Sequence, residues 1–90
     1  MLKTFAIIIS GTVQGVFFRQ STKEKAISLG IKGKVFNLEN GDVEVIATGT
    51  KDQLDKLKDW CRVGPPRAKV QQVRFKELPL QQFDSFTIHR

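Results

Sequence analysis

The stretch Gly11-Thr12-Val13-Gln14-Gly15-Val16-Phe17-Phe18-Arg19 has the composition of an anion cradle. Glycines at 11 and 15 allow successive backbone N–H groups to turn toward one point. A helix starting at about Arg19 adds the positive end of its dipole. The guanidinium of Arg19 is a planar fork that matches two oxygens of a tetrahedral anion. No carboxylate lies within the loop to oppose that anion. These parts suffice to hold a phosphate without a metal. The same residues also fit an ordinary turn followed by a solvated arginine. An arginine at a helix N-terminus is mildly unfavourable with the dipole, and a bound anion would compensate for it.

A second spacing invites phosphate chemistry and fails on inspection. Cys61-Arg62-Val63-Gly64-Pro65-Pro66-Arg67 has the bare spacing of a cysteine, five residues and an arginine found in cysteine-dependent phosphatases. That chemistry needs a thiolate beneath N–H donors at a helix start. Cys61 instead falls near a helix C-terminus, where the dipole disfavours a thiolate. Pro65 and Pro66 remove two donors. Cys61 therefore reads as a small core hydrophobe. A single cysteine excludes an internal disulfide and a cysteine-based zinc site, and the one histidine, His89, excludes a histidine cluster. His89, close to a chain terminus, is a poor candidate catalyst.

The elements that must position the loop follow from hydrophobic periodicity. Residues 3–10 alternate as a strand, with Phe5, Ile7 and Ile9 on one face and Thr4, Ala6, Ile8 and Ser10 on the other. A helix from about Arg19 to Leu29 carries Phe18, Thr22, Ala26 and Leu29 on one face, and Gly30 stops it. Residues 34–38 and 42–48 form a hairpin around Asn40-Gly41. A two-residue loop would put Phe36 with Val45. A three-residue loop over 39–41, with Gly41 left-handed, aligns Val35, Asn37, Val43, Val45 and Ala47 on one face. The second is preferred because it keeps three valines and an alanine together. Thr50 and Gln53 form a capping box for a second helix, whose apolar stripe is Leu54, Leu57, Trp60 and Cys61 and which ends at Gly64. Strands over 68–76 and 86–88 follow. The order βαββαβ, plus a short C-terminal strand, predicts an α+β ferredoxin-like sandwich: an antiparallel sheet with two helices on one face. A fold of this kind hosts many functions and proves none.

The chain has 90 residues, 40% hydrophobic and 27% charged, which is the size and composition of one folded domain spanning 1–90. No apolar run reaches the roughly 20 residues of a membrane helix, and the N-terminus lacks a signal-peptide pattern, so a cytoplasmic location is expected. Fifteen Lys+Arg against nine Asp+Glu give +6, which favours anionic partners. No acidic residue precedes Glu24, so the quarter holding the loop is purely cationic.

Val13-Gln14-Gly15-Val16-Phe17-Phe18-Arg19 resembles the signature loop of the acylphosphatases. Gly33-Lys34-Val35-Phe36-Asn37, followed by Asn40-Gly41-Asp42-Val43-Glu44, resembles that family's second motif. Ala26, Leu29-Gly30, Gly64-Pro65-Pro66 and Phe86-Thr87-Ile88 also match its pattern, so the resemblance covers essentially the whole chain. It implies hydrolysis of a carboxyl–phosphate anhydride to a carboxylate and inorganic phosphate. It also implies that Arg19 binds the phosphate, that backbone amides of Gln14, Gly15, Val16, Phe17 and Phe18 complete the cradle, and that Asn37 positions the attacking water. The expected partner is a small-molecule acyl phosphate, with inorganic phosphate or sulfate as competitor. No metal, no cofactor, no membrane and no nucleic-acid partner is expected, and a monomer is the default state. Lys34 and Asn40 depart from the family's usual residues, at positions peripheral to the proposed chemistry.

Two rival classes fit the residues less well. In RNA-recognition sheets, bases stack on aromatic residues of two central strands. The corresponding outward positions here, Thr4, Ala6, Ile8 and Ser10 with Glu44, Ile46 and Thr48, contain no aromatic. A non-catalytic anion-binding domain would leave Asn37 without a purpose. Of Phe17 and Phe18, one should anchor the loop in the core and the other wall the pocket. Trp60 is expected in or near the core. Lys51, Lys56 and Lys58 read as a solvated helix face balanced by Asp52, Asp55 and Asp59.

Overall fold

A computed structural model describes residues 1–89. The elements run β1 (Lys3–Thr12), α1 (Phe18–Leu29), β2 (Lys32–Asn37), β3 (Val43–Gly49), α2 (Lys51–Cys61), β4 (Lys69–Leu78) and β5 (Phe86–Ile88). They build one sheet in the order β4-β1-β3-β2-β5. The alternation of β1 and β3 puts Ile7, Ile9, Val43, Val45 and Ala47 on one face, where they meet Phe18 and Ala26 of α1 and Leu54, Leu57 and Cys61 of α2 in the core. Each large aliphatic side chain fully buried there contributes on the order of 1.5–3 kcal/mol.

The hairpin between β2 and β3 adopts the three-residue loop. Val35 pairs with Val45 and Asn37 with Val43, and the Leu38 N–H donates to Asp42 O at 2.8 Å. Gly41 has φ 98°, the positive value that this register needs. Helix α1 ends as expected at Gly30 (φ 79°), with Gly30 N–H donating to Ile27 O and Ile31 N–H to Ala26 O.

Strand β1 extends two residues beyond its expected end. Its pairing with β4 slips between Ser10 and Gly11 and then resumes through Thr12. A Cβ on Gly11 would stand 2.1 Å from Lys69 O, so only glycine permits this close approach. The cradle loop consequently begins at Val13.

Four strands are antiparallel, as expected, but β5 pairs parallel to β2. After β4, the chain crosses from one sheet edge to the other and reverses direction. Being antiparallel to β4, β5 must then be parallel to β2. The crossing also corrects the expectation for the face away from the helices. Gln81 N–H donates to Thr4 Oγ1 at 2.9 Å, and Thr48 Oγ1 donates to Gln81 O at 2.7 Å. The two threonine hydroxyls are 2.6 Å apart. Thr4 and Thr48 are thus buried beneath this strap, and Ala6 and Ile46 on the same face are buried as well.

Lys58 is also not solvated as expected. Its side chain is 16% exposed, and its ammonium stands 3.7 Å from the Phe5 ring centroid and 5.0 Å from that of Phe75. Helix α2 packs over strands that present those rings, so the lysine stem is buried and its charge meets aromatic faces. Among the described residues, no helix is long and apolar enough to cross a membrane.

Candidate active site

The cradle loop runs from Val13 to Phe17 and is fixed at both ends by burial. Val13 and Phe18 are each 1% exposed. The Phe18 ring lies 5.6 Å from that of Trp60, tilted by 59°. Helix α2 stops at Cys61, three residues before the expected Gly64, and a Cβ on Gly64 would sit 2.6 Å from Phe18 Cε2, so this glycine makes room for the ring that starts α1. This divides the roles of the two phenylalanines. Phe18 anchors the loop, while Phe17 is 71% exposed.

The loop turns through two left-handed residues. Gly15 has φ 74°, and a Cβ there would meet nothing within 4 Å, so glycine is needed for its conformation and not for space. Phe17 has φ 64° and ψ 24°. Among the described residues it is the only non-glycine at positive φ. For a bulky residue, that conformation costs on the order of 1–3 kcal/mol. Phe17 occupies the N-cap position of α1 but provides no side-chain cap, and the first turn holds no acid. The first helical bond runs from Ser21 N–H to Phe17 O. The N–H groups of Phe18, Arg19 and Gln20 therefore lack intrahelical partners and carry the positive end of the dipole.

Arg19 leaves the first turn of α1 toward the C-terminal strand. Its Nη1 donates to His89 O at 3.2 Å. The segment carrying that carbonyl is itself held: His89 N–H donates to Val35 O at 2.9 Å, and Gly33 N–H donates to Ser85 O at 3.0 Å. Among the described residues, Arg19 has no carboxylate partner.

Asn37 ends β2 on the helix-facing side. Its Oδ1 is buried and has no hydrogen-bond partner among the described residues. A buried carbonyl oxygen left in that state costs roughly 1–3 kcal/mol, and a donor such as water in the cavity would recover it.

Arg19, Asn37, Gly15, Phe17, Phe18 and Ile88 line one cavity of about 360 Å³. Five of the seven residues singled out from the sequence are therefore brought together. Gln14 and Val16 are not in the lining. Val16 packs against the core. The Gln14 side-chain amide donates to Leu38 O at 2.8 Å and to Asp42 O at 2.9 Å, which ties the loop to the hairpin that carries Asn37. Sequence reasoning assigned Gln14 only a backbone role. A side-chain amide in a glycine-rich loop gives no hint of a partner 24 residues away. Sequence reasoning also missed Ile88 and the His89 carbonyl, because a three-residue strand carries no sign of where it docks.

Among the described residues, no carboxylate borders the cavity, and no group of three or more His, Cys, Asp or Glu is placed to hold a metal ion. Cys61 is fully buried at the far end of α2, and burial pushes its thiol up to about 12, which is the opposite of an activated nucleophile. The arrangement can grip a tetrahedral anion by a guanidinium and main-chain donors, and can accept one hydrogen bond from a neighbouring polar molecule.

The acylphosphatase family model matches residues 5–88. The chain is 48% identical over 81 residues to an acylphosphatase of Marinobacter nauticus, covering 89% of this chain and 88% of that one. It is 49% identical over 83 residues to an acylphosphatase of Acaryochloris marina, covering 92% and 89%. The structure of an acylphosphatase from Coxiella burnetii superposes with a TM-score of 0.95 at 39% identity, over 98% of this chain and 93% of that one.

Proposed function

The chain belongs to the acylphosphatase family and is an enzyme that hydrolyses acyl phosphates, and we propose that Arg19 and Asn37 carry the reaction. The guanidinium of Arg19 grips two phosphate oxygens, and backbone amides of Gln14 to Phe18 hold the rest of the anion. Asn37 Oδ1 accepts a hydrogen bond from water and aims its oxygen at phosphorus. In R–CO–O–PO₃²⁻ + H₂O → R–COO⁻ + H₂PO₄⁻, the water oxygen bonds to phosphorus as the bridging P–O bond breaks. The electron pair leaves with the carboxylate, and the water proton passes to a phosphate oxygen.

Phosphoryl transfer of this kind has a loose transition state, so positioning and charge stabilisation supply most of the rate. A carboxylate leaves readily and needs little acid assistance, which suits a site with no acid among its described lining residues. The reaction runs without a metal or cofactor. Inorganic phosphate and sulfate compete for the cradle. Residues 1–90 act as one acylphosphatase-like domain, as a cytoplasmic monomer and without a nucleic-acid partner.

The observation that carries this reading is the buried Asn37 Oδ1, without a hydrogen-bond partner among the described residues, in the wall of the cavity that Arg19 borders. The test is hydrolysis of benzoyl phosphate in the presence of a chelator by the parent, Arg19→Lys and Asn37→Ala. Turnover should survive the chelator and collapse in both variants. Near-normal rates for Arg19→Lys would show that the planar two-point grip is the wrong idea.

A further inference from the structure

Phe17 is a costly residue in its place. It holds φ 64° against its own Cβ, caps α1 without a capping group, and leaves an aromatic ring 71% exposed. A glycine or asparagine would take this backbone with less strain. Neither the fold nor the phosphate grip uses the ring: Phe18 supplies the anchor, and the grip uses main-chain amides and Arg19.

The cavity suggests what the ring meets. A phosphate group fills only part of 360 Å³, given that a water claims roughly 30 Å³. Its polar walls at Arg19, Asn37 and the Gly15 backbone are taken by the phosphate and the water, and Gln20, the remaining polar lining residue, is engaged with Glu24. Of the apolar walls, Val13 and Phe18 are buried to 1% exposure and can offer little surface. Phe17 and the half-buried Ile88 are what remains for the acyl part of the substrate.

We infer that Phe17 is a specificity-determining residue whose exposed ring packs against the acyl group, so that the enzyme favours acyl phosphates with flat aromatic or bulky apolar acyl groups over acetyl phosphate. This rests on the assignment of Arg19 and Asn37 above. The left-handed backbone is what aims the ring: it turns the side chain of residue 17 out to the cavity mouth in the same step that turns Phe18 into the core.

The test compares kcat/KM for benzoyl phosphate and acetyl phosphate in the parent, Phe17→Ala, Phe17→Gly and Phe17→Tyr. Any general disturbance of the loop falls on both substrates and cancels in their ratio. The benzoyl preference should drop roughly tenfold in the alanine and glycine variants, the usual size for a lost apolar wall, and return in the tyrosine variant. Glycine takes φ 64° without strain, so this variant folds even where alanine does not. A ratio unchanged in Phe17→Gly, or equal losses for both substrates in every variant, would overturn the inference. Arg19→Ala, assayed in parallel, separates the two failures. If it keeps turnover, the site assignment is wrong; if it loses turnover with both substrates while the Phe17 ratio stays fixed, only the role of Phe17 is wrong.

Discussion

The two helices begin in opposite ways. At the start of α2, Thr50 has an extended backbone (φ −74°, ψ 164°), its Oγ1 accepts from Gln53 N–H at 3.2 Å, and Gln53 Oε1 accepts from Thr50 N–H at 2.8 Å. Asp52 adds an acid to the first turn. At the start of α1, the cap is a strained phenylalanine with no capping bond and no acid. Yet both helices carry glutamine at the third position, Gln53 and Gln20. Gln53 reaches back to close a cap. Gln20 Nε2 reaches forward to Glu24 Oε2 at 3.0 Å instead. The same residue at the same position closes one helix end and leaves the other open. The closed end serves stability; the open end keeps donors and dipole for an anion.

The largest break in this comparison is Arg19→Ala. It should lower kcat/KM for an acyl phosphate by about 10³-fold, as expected for an arginine that meets phosphoryl charge. Its urea midpoint should stay near the parent's, since the guanidinium makes only one exposed hydrogen bond among the described residues. Inorganic phosphate should raise the parent's melting temperature and leave that of Arg19→Ala unmoved. Asn37→Ala comes next. Turnover should fall by about 10²-fold. Stability should stay within about 1 kcal/mol of the parent's, because Asn37 Oδ1 makes no hydrogen bond to the described residues. A clear loss of stability would mean that Asn37 supports the hairpin instead of a water.

Thr50→Ala inverts the pattern at the closed end. It should cost ~1 kcal/mol in chemical denaturation and leave turnover within about twofold of the parent's. Comparable losses in activity would tie the two helix starts together and weaken the contrast.

Much of this was legible in the sequence, for local reasons. The Thr50–Gln53 box, the stop at Gly30 and the hairpin register with Gly41 each depend on residues within a few positions of one another, where propensity and turn chemistry decide. What escaped depends on long-range placement. The three-residue strand β5 carries no sign of its direction, which is set by the strap that crosses the open face. Thr4 and Thr48 alternate correctly away from the helices, but only the strap buries them. Adjacent phenylalanines cannot be told apart by type; the left-handed turn at Phe17 separates them. Lys58 sits in a charged run that reads as solvated until Phe5 and Phe75 are placed beneath it. For the site, the loop composition pointed to an anion, whereas the buried oxygen of Asn37 and the brace from Gln14 exist only once the hairpin meets the loop.

The finest probe of the contrast puts the same change at both third positions. In Gln53→Glu, a carboxylate oxygen replaces an amide oxygen that already accepts from Thr50 N–H, so the box survives. The added charge faces the helix dipole, and stability should stay level or rise by a few tenths of a kcal/mol. Phosphate inhibition should be unaffected. In Gln20→Glu, the charge enters the wall of the cavity and faces Glu24 one turn on. A unit charge about 8 Å from a phosphate dianion in water costs about 1 kcal/mol, so the inhibition constant for phosphate should rise roughly fivefold at low salt. In about 1 M salt the Debye length shrinks to about 3 Å, and most of that increase should vanish. A stability effect alone would not discriminate here, since repulsion between the new carboxylate and that of Glu24 lowers stability wherever the anion binds. The salt-sensitive shift in phosphate inhibition does discriminate. If Gln20→Glu leaves phosphate inhibition at low salt where Gln53→Glu leaves it, then the open end of α1 faces no anion, and its missing cap is a defect without a use.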